Sequence, residues 1–286
     1  MTEHSDDNSP ALRRFSHDAM ACTFELYCPA EFSDAQSAAQ SAFNEIDRLE
    51  ALLSRYVPHS DIARIGALQP GQSVRVSVET VECLQLADQV YTASGGIFDV
   101  AFRSRRETQL APLVFDPRAR AVGVQARVDL DLGALGKGYA LDRALAVLRE
   151  WRCASALLHA GQSTALARGT WQLALRSPDN STTLAALALT DAALSGSGQR
   201  LHGGHIVDPR TGAPGNRYAA AWALAPSAAL SDALSTAFML LPPETVRDLC
   251  AQWADVSAIL LPAGAAAREA MCFGSRSTEV QWSSAH

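Results

Sequence analysis

The order in which two hydrophobic periodicities follow one another narrows the fold of this chain more than any other feature. Apolar residues at helical spacing mark segments that bury one face of a helix, whereas alternating or continuous apolar runs mark strands. In parallel-sheet proteins the two alternate regularly. Here they do not. A strand-like Met20–Cys28, with Thr23, Glu25 and Tyr27 on one face, leads into a helix N-capped by Ser33. That helix carries Phe43, Ile46, Leu49 and Leu53 at helical spacing. A second helix runs from Glu79 to about Ser94 and stops at Gly95-Gly96. Strand signals then cluster at 97–102, 111–115 and 127–131, before a third helix from Gly138 to Trp151. Strands return at 154–159, 171–176, 184–190 and 217–225, followed by helices at Leu230–Leu240 and Glu244–Trp253 and a strand at Val256–Leu261. Clustered strands without βαβ alternation predict an α+β fold, with mixed or antiparallel sheets flanked by helices.

No internal repeat or low-complexity linker divides the 286 residues, a length that buries one ample core. The expected organisation is one domain over residues 15–265, a disordered segment over 1–14 and a loose Ser-rich tail over 266–286. With 24 basic against 30 acidic side chains, the net charge of −6 excludes a dedicated nucleic-acid binder. No apolar run approaches the roughly 18–20 residues of a membrane span. The polar, acidic Met1–Pro10 lacks the basic-then-apolar pattern of a leader, so a cytoplasmic location is expected. Six cysteines, at 22, 28, 83, 153, 250 and 272, form no C-x-x-C pair and no metal spacing, which predicts free thiols. Of the 24 cations only Lys137 is a lysine; the other 23 are arginines.

That lysine sits in Asp131-Leu132-Gly133-Ala134-Leu135-Gly136-Lys137-Gly138-Tyr139-Ala140, a strand end, a Gly-rich turn and a helix start. Such a turn aims backbone N–H groups and a helix N-terminus at an anion, with Lys137 as a point charge. It is not a Walker A loop, which needs four residues between its first Gly and Gly-Lys and a Ser or Thr after Lys. The plainer reading is a tight turn with an exposed lysine. Further on, Asp232 and Thr236 stand four apart, which on a helix places a carboxylate and a hydroxyl on one face. Both are hard oxygen donors suited to Mg²⁺; the plainer reading is a helix cap and a back-bonded Thr. His205 and Arg210 flank the Pro-centred turn at Asp208-Pro209, as a base and a phosphate fork or simply as turn residues. Ser195-Gly196-Ser197-Gly198 reads as a flexible loop and lacks the G-x-S-x-G pattern of a hydrolase elbow.

Taken in order, these segments resemble the ApbE family of FAD:protein FMN transferases. The resemblance runs from Met20 to about Gly264. It is carried by Ser54-Arg55-Tyr56-Val57-Pro58-His59-Ser60-Asp61, by Gly95-Gly96-Ile97-Phe98-Asp99, by Asp131-Leu132-Gly133-Ala134 with Lys137-Gly138-Tyr139-Ala140-Leu141-Asp142, by His205-Ile206-Val207-Asp208-Pro209-Arg210-Thr211-Gly212, and by Ala225-Pro226-Ser227 with Ser231-Asp232-Ala233-Leu234-Ser235-Thr236. The resemblance implies an α+β, T-fold-like domain that binds FAD with Mg²⁺ at the pyrophosphate. It implies transfer of FMN from FAD to a Thr or Ser hydroxyl of an acceptor protein, with release of AMP. By the same resemblance, Ala134 (through its carbonyl), Asp232 and Thr236 would hold the metal, and Lys137 would face the phosphates. Met20, Tyr56, Asp99, Gly133 and Arg210 would complete the FAD site, and His205 or Asp208 would serve as the base.

The chain departs from the family pattern at several positions. Met20-Ala21-Cys22 replaces a Met-Gly-Thr, Gly136-Lys137-Gly138 an Ala-Lys-Gly, and Gly161-Gln162-Ser163 a Gly-Gly-Asp/Asn loop. Val100-Ala101 replaces a Pro-Thr, and a basic run, Phe102–Arg106, follows. Two alternatives to transfer stay open at this level: hydrolysis of FAD to FMN and AMP, and an FAD-binding protein without chemistry. Neither the acceptor nor the oligomeric state is legible.

Overall fold

Strand pairing around one long sheet organises the chain, as a computed structural model describes it for residues 11–104, 113–116, 118–177, 181–198, 207–213, 215–276 and 280–282. The first two strands, β1 (Leu12–Ala19) and β2 (Cys22–Pro29), form an antiparallel hairpin in which Ala19 pairs with Cys22. The two residues between them, Met20 and Ala21, both have positive φ, at 49° and 58°. Positive φ at both central positions is the signature of a type I′ turn, whose twist matches that of the flanking strands. β1 begins inside the segment expected to be disordered, and its alternation of exposed and half-buried residues is too polar to announce a strand.

Two helices follow, α1 (Ala35–Leu53) and the short α2 (Asp61–Gly66), the latter capped by the Ser60 hydroxyl accepting from the Ala63 N–H. The expected apolar stripe of α1 is buried at Phe43, Ile46, Leu49 and Leu53. After β3 (Ser73–Arg75), α3 (Val78–Ala93) is capped by Ser77 and ends before Gly95-Gly96, both in the left-handed region. The expected strands at 97–102 and 127–131 are turns and extended chain instead. β4 (Leu113–Asp116) and β5 (Ala121–Val124) join β3 in a small antiparallel sheet of order β3-β5-β4.

Beyond α4 (Gly136–Glu150) come β6 (Ala156–Ala160), β7 (Thr164–Arg168), β8 (Thr170–Arg176), β9 (Thr183–Thr190) and β10 (Ala193–Gly198). The chain closes with β11 (Tyr218–Ala225), α5 (Ala228–Phe238), α6 (Pro243–Gln252), β12 (Ser257–Pro262), β13 (Met271–Phe273) and β14 (Val280–Trp282). The main sheet has the order β1-β2-β6-β7-β10-β11-β12-β13, every pairing antiparallel. The expected α+β class holds. The segment read as a loose tail is partly ordered, because β13 extends the main sheet and β14 pairs with β9.

The central strands are apolar on both faces, and the two faces serve different cores. Leu158, Leu166, Ala223 and Leu260 join α1, α4 and α5 in one core, while Leu157, Leu194, Trp222 and Ile259 meet the β8-β9-β14 sheet in the other. This double burial explains the continuous apolar runs of β6, β11 and β12. It also explains why Ser195-Gly196-Ser197-Gly198, read as a flexible loop, is a central strand. A Cβ on Gly196 would come within 2.6 Å of the Trp222 indole, so glycine is what lets the ring lie across β10. Tertiary packing here overrides the ordinary meaning of a Ser-Gly run. The six thiols are free, with Cys28, Cys83, Cys153 and Cys250 buried.

Alanine is strained in the left-handed region, so Ala21→Gly is expected to raise stability by about 0.5–1 kcal/mol. Chemical denaturation of the two proteins measures it, and an unchanged midpoint counts against strain in this turn.

Candidate functional site

Helices α4 and α5 meet at their N-terminal ends, and several buried polar residues gather at that junction. Gly138, in the first turn of α4, lies so close to the start of α5 that a Cβ would approach the Ala228 carbonyl oxygen to 2.2 Å. Four residues on, Asp142 presents its carboxylate to the same helix end. Its Oδ1 accepts from the Ala228 N–H at 2.7 Å and its Oδ2 from the Ala229 N–H at 2.9 Å. Burial outweighs those two bonds and pushes the Asp142 carboxyl up to about 6. The Ser227 hydroxyl, accepting from the Leu230 N–H at 3.3 Å, completes the cap of α5.

One turn into α5, Asp232 is only 5% exposed yet loosely partnered. Its Oδ2 accepts from the Gly138 N–H at 3.4 Å, its Oδ1 accepts from the Thr164 hydroxyl at 3.4 Å, and Lys137 Nζ stands 3.8 Å away. Lys137 donates to the Gly133 carbonyl at 2.7 Å, which folds the Gly-rich turn back over the start of α4. Thr236 Oγ1 donates to the Asp232 carbonyl at 3.4 Å and lies 3.5 Å from Ser197 Oγ, which is 2.9 Å from Ser235 Oγ. The donors assembled here are one buried carboxylate with hydroxyl groups, and all are hard oxygens. That chemistry fits Mg²⁺, because a buried carboxylate with long contacts keeps lone pairs for a cation. Among the described residues no three His, Cys, Asp or Glu side chains cluster as a metal site, so any cation here relies on this mixed donor set.

Two cavities flank the junction. One, of about 170 Å³, is lined by Met20, Ala21, Tyr56, Gly133, Gly136 and Lys137, with Arg55 and Asp131 on its wall. Tyr56 is 82% exposed at its mouth, and the Arg55 guanidinium lies 5.5 Å from its ring centre. Arg55 also bridges Asp129 at 2.8 Å and Asp131 at 3.3 Å, and Arg103 reaches Asp131 at 3.1 Å. Burial pushes the Asp131 carboxyl up, but the Gly133 N–H and the two guanidiniums outweigh it and hold the group below the usual carboxylate value. The other cavity, of about 350 Å³, lies on the opposite face of the main sheet and includes His159, Gln162, Thr164, Arg176, Ser197 and Trp222 in its lining. Thr164 and Ser197 connect it to Asp232 and Thr236.

The residues expected at a site from sequence fall into three groups. Lys137, Gly133, Asp232 and Thr236 are brought together, Ala134 lies in the same turn, and Met20 and Tyr56 line the adjoining cavity. Asp99 closes its own turn by accepting from the Ala101 N–H at 2.9 Å, next to the Val100 carbonyl that accepts from the Asp131 N–H at 2.8 Å. Asp208 and Arg210 pair with each other at 2.9 Å on the turn at 207–213, and that pairing holds the Asp208 carboxyl below its usual value. His205 lies outside the described residues. Sequence reasoning missed Thr164, Ser197 and Asp142 as members of the junction. Asp142 carried a signal as the last residue of the Lys-Gly-Tyr-Ala-Leu-Asp block, and Ser197 as part of a Ser-Gly run read as a loop able to approach a ligand; Thr164 and Ser197 reach the junction through strand register.

An antiparallel α+β architecture with a carboxylate–lysine pair at a helix junction defines the class of the protein. The model of the ApbE family matches residues 20–108 and 102–260, and the chain belongs to that family. Solved structures of similar fold include the flavin transferase ApbE from Vibrio cholerae, at 17% identity and a TM-score of 0.80 over 94% of this chain and 98% of that one. The ApbE protein from Thermotoga maritima aligns at 20% identity and 0.78, covering 94% and 98% of the two chains. The flavinyl transferase ApbE of Pseudomonas stutzeri, in its apo form, aligns at 19% and 0.77, covering 94% and 96%. None of the curated proteins matches the sequence at a significant level.

Overpacking costs roughly 1–3 kcal/mol, and Gly138→Ala is expected to destabilise the chain by at least that much, because its Cβ meets backbone that cannot step aside. Gly136→Ala, whose Cβ would lie 3.8 Å from Leu132, is expected to be neutral or mildly stabilising. Denaturant midpoints of both variants check the pair; equal behaviour would show that the helices do not meet this closely.

Proposed function

We propose that this protein transfers FMN from FAD to a Thr or Ser hydroxyl of an acceptor protein, releasing AMP. The observation that carries the reading is the junction of Lys137 and Asp232, 3.8 Å apart, between two cavities that would take the two ends of a dinucleotide. Family membership supports it, and so do the flavin transferases among the solved structures of similar fold.

In the proposed reaction the acceptor oxygen forms a new P–O bond to the flavin-side phosphorus. The bond to the AMP phosphate breaks, AMP leaves with the electron pair, and the hydroxyl proton passes to a base. Catalysis of this kind is mostly positioning and charge neutralisation. Lys137, tethered by the Gly133 carbonyl, would place its ammonium against the pyrophosphate. Met20 and Tyr56 would line the flavin–adenine site, with Gly133 leaving room for the phosphates. Asp232, Thr236 and the Ala134 carbonyl would hold Mg²⁺, which when bound supplies further neutralisation of the pyrophosphate charge. Of the two groups read as bases, Asp208 is drawn away from that role by Arg210, since a carboxylate held below its usual value takes up a proton poorly. The proposal therefore assigns the base to His205 and leaves Arg210 to set the turn rather than to grip phosphate.

Incubation with FAD and Mg²⁺, with and without a Thr-bearing acceptor peptide, tests the reading. AMP that appears only with the acceptor supports transfer; AMP without it means hydrolysis; tight FAD binding with no AMP means a carrier. Lys137→Arg is expected to slow AMP release at least tenfold although it keeps the charge, because the planar guanidinium is bulkier than the ammonium it replaces. Asp232→Asn is expected to slow it by about a hundredfold. Chelation of divalent ions should abolish the reaction and re-addition of Mg²⁺ restore it.

A further inference from the structure

Asp142 lies on α4, away from both cavities, yet it makes the shortest hydrogen bonds between the two helices that carry the site. Both of its oxygens are committed to the first two amides of α5, at 2.7 and 2.9 Å. One turn earlier on the same face of α4, Gly138 brings backbone against the Ala228 carbonyl and donates its own N–H to Asp232 Oδ2. Positions 138 and 142 therefore grip the first residues of α5 at two points one helical turn apart, which fixes where α5 begins and how it is rotated about its axis. Lys137 and Asp232 belong to opposite helices of this pair, and their 3.8 Å separation is a consequence of that grip.

We infer that Asp142 is a positioning residue: it sets the register of α5 against α4 so that Asp232 and Thr236 face Lys137. This rests on the transfer reading above for its functional consequence. The Ser227 hydroxyl caps the same helix end from within its own chain segment, to Leu230, and makes no bond across to α4 in this role. The two caps are thus separable: Ser227 stabilises the helix terminus, while Asp142 also anchors it to its neighbour. An amide at position 142 keeps the shape but turns one acceptor into an NH₂ group facing a backbone N–H, leaving that donor unpaired.

The test compares Asp142→Asn and Ser227→Ala with the wild-type protein by thermal midpoint, by kcat and KM for FAD-dependent AMP release with acceptor, and by residue-resolved hydrogen exchange. Displacement of a reacting group by about 1 Å costs up to a hundredfold. Asp142→Asn is therefore expected to lower kcat at least tenfold, with KM for FAD changed less than about threefold. Ser227→Ala should lose comparable stability yet keep kcat within about twofold. The Gly138 amide, whose partner is Asp232, should exchange faster in Asp142→Asn and not in Ser227→Ala. A kcat that survives in Asp142→Asn, or that falls in step with the midpoint in both variants, overturns the inference. If the wild-type protein transfers no FMN, the proposed function fails while the inference is still judged by the Gly138 amide. Protection unchanged in Asp142→Asn rejects it; selective loss of protection upholds it.

Discussion

The contact on which the rest of the site depends is the close approach of two helix N-termini, α4 and α5, with no side chain between them at Gly138. A helix beginning carries unpaired N–H groups and a partial positive charge. Bringing two such ends together is unfavourable unless anions sit between them. Asp142 and Asp232 are those anions: one satisfies the first amides of α5, the other accepts from the first turn of α4. Lys137 adds a further cation beside Asp232. The junction therefore sets two helix N-termini and one ammonium around a loosely partnered, buried carboxylate.

The main sheet supplies the platform. Because its central strands are buried on both faces, their register is strongly specified. Ser195, Ser197 and Thr164 point to the α5 side as the partners of Ala223, Ala221 and Ala160 across the ladder. That register delivers the Thr164 hydroxyl of β7 to Asp232 and the Ser197 hydroxyl of β10 to Thr236. The opposite face of the same strands builds the larger cavity against β8 and β9. One sheet thus stands between two spaces, and Thr164 and Ser197 in the lining of the larger one bond to the polar junction.

Much of this was legible beforehand, for local reasons. The stripe of α1, the caps and Gly-Gly stop around α3, the Gly-rich entry to α4 and the spacing of Asp232 and Thr236 are written within one or two helical turns. Those are distances over which residue spacing and geometry correspond directly. The misreadings share the opposite character. β10 looked like a loop because its glycine serves a ring on the neighbouring strand. The start of β1 fell in a segment read as disordered and β14 in one read as a loose tail, because their pairing partners, not their own residues, make them strands. The pairing of Asp208 with Arg210 on their turn is likewise a contact that residue spacing does not announce.

Sequence alone determined the α+β class, the family and the Lys137 and Asp232–Thr236 segments that meet at the junction, because motif spacing and periodicity are properties of short stretches of chain. Only the tertiary structure decided that Lys137 and Gly138 meet Asp232, which lies 94 positions beyond Gly138. It alone decided that Asp142 anchors the helix carrying that carboxylate, and that a Ser-Gly run is a core strand. Those outcomes depend on which surfaces are buried against each other. Burial is a property of the assembled chain, and no local pattern encodes it.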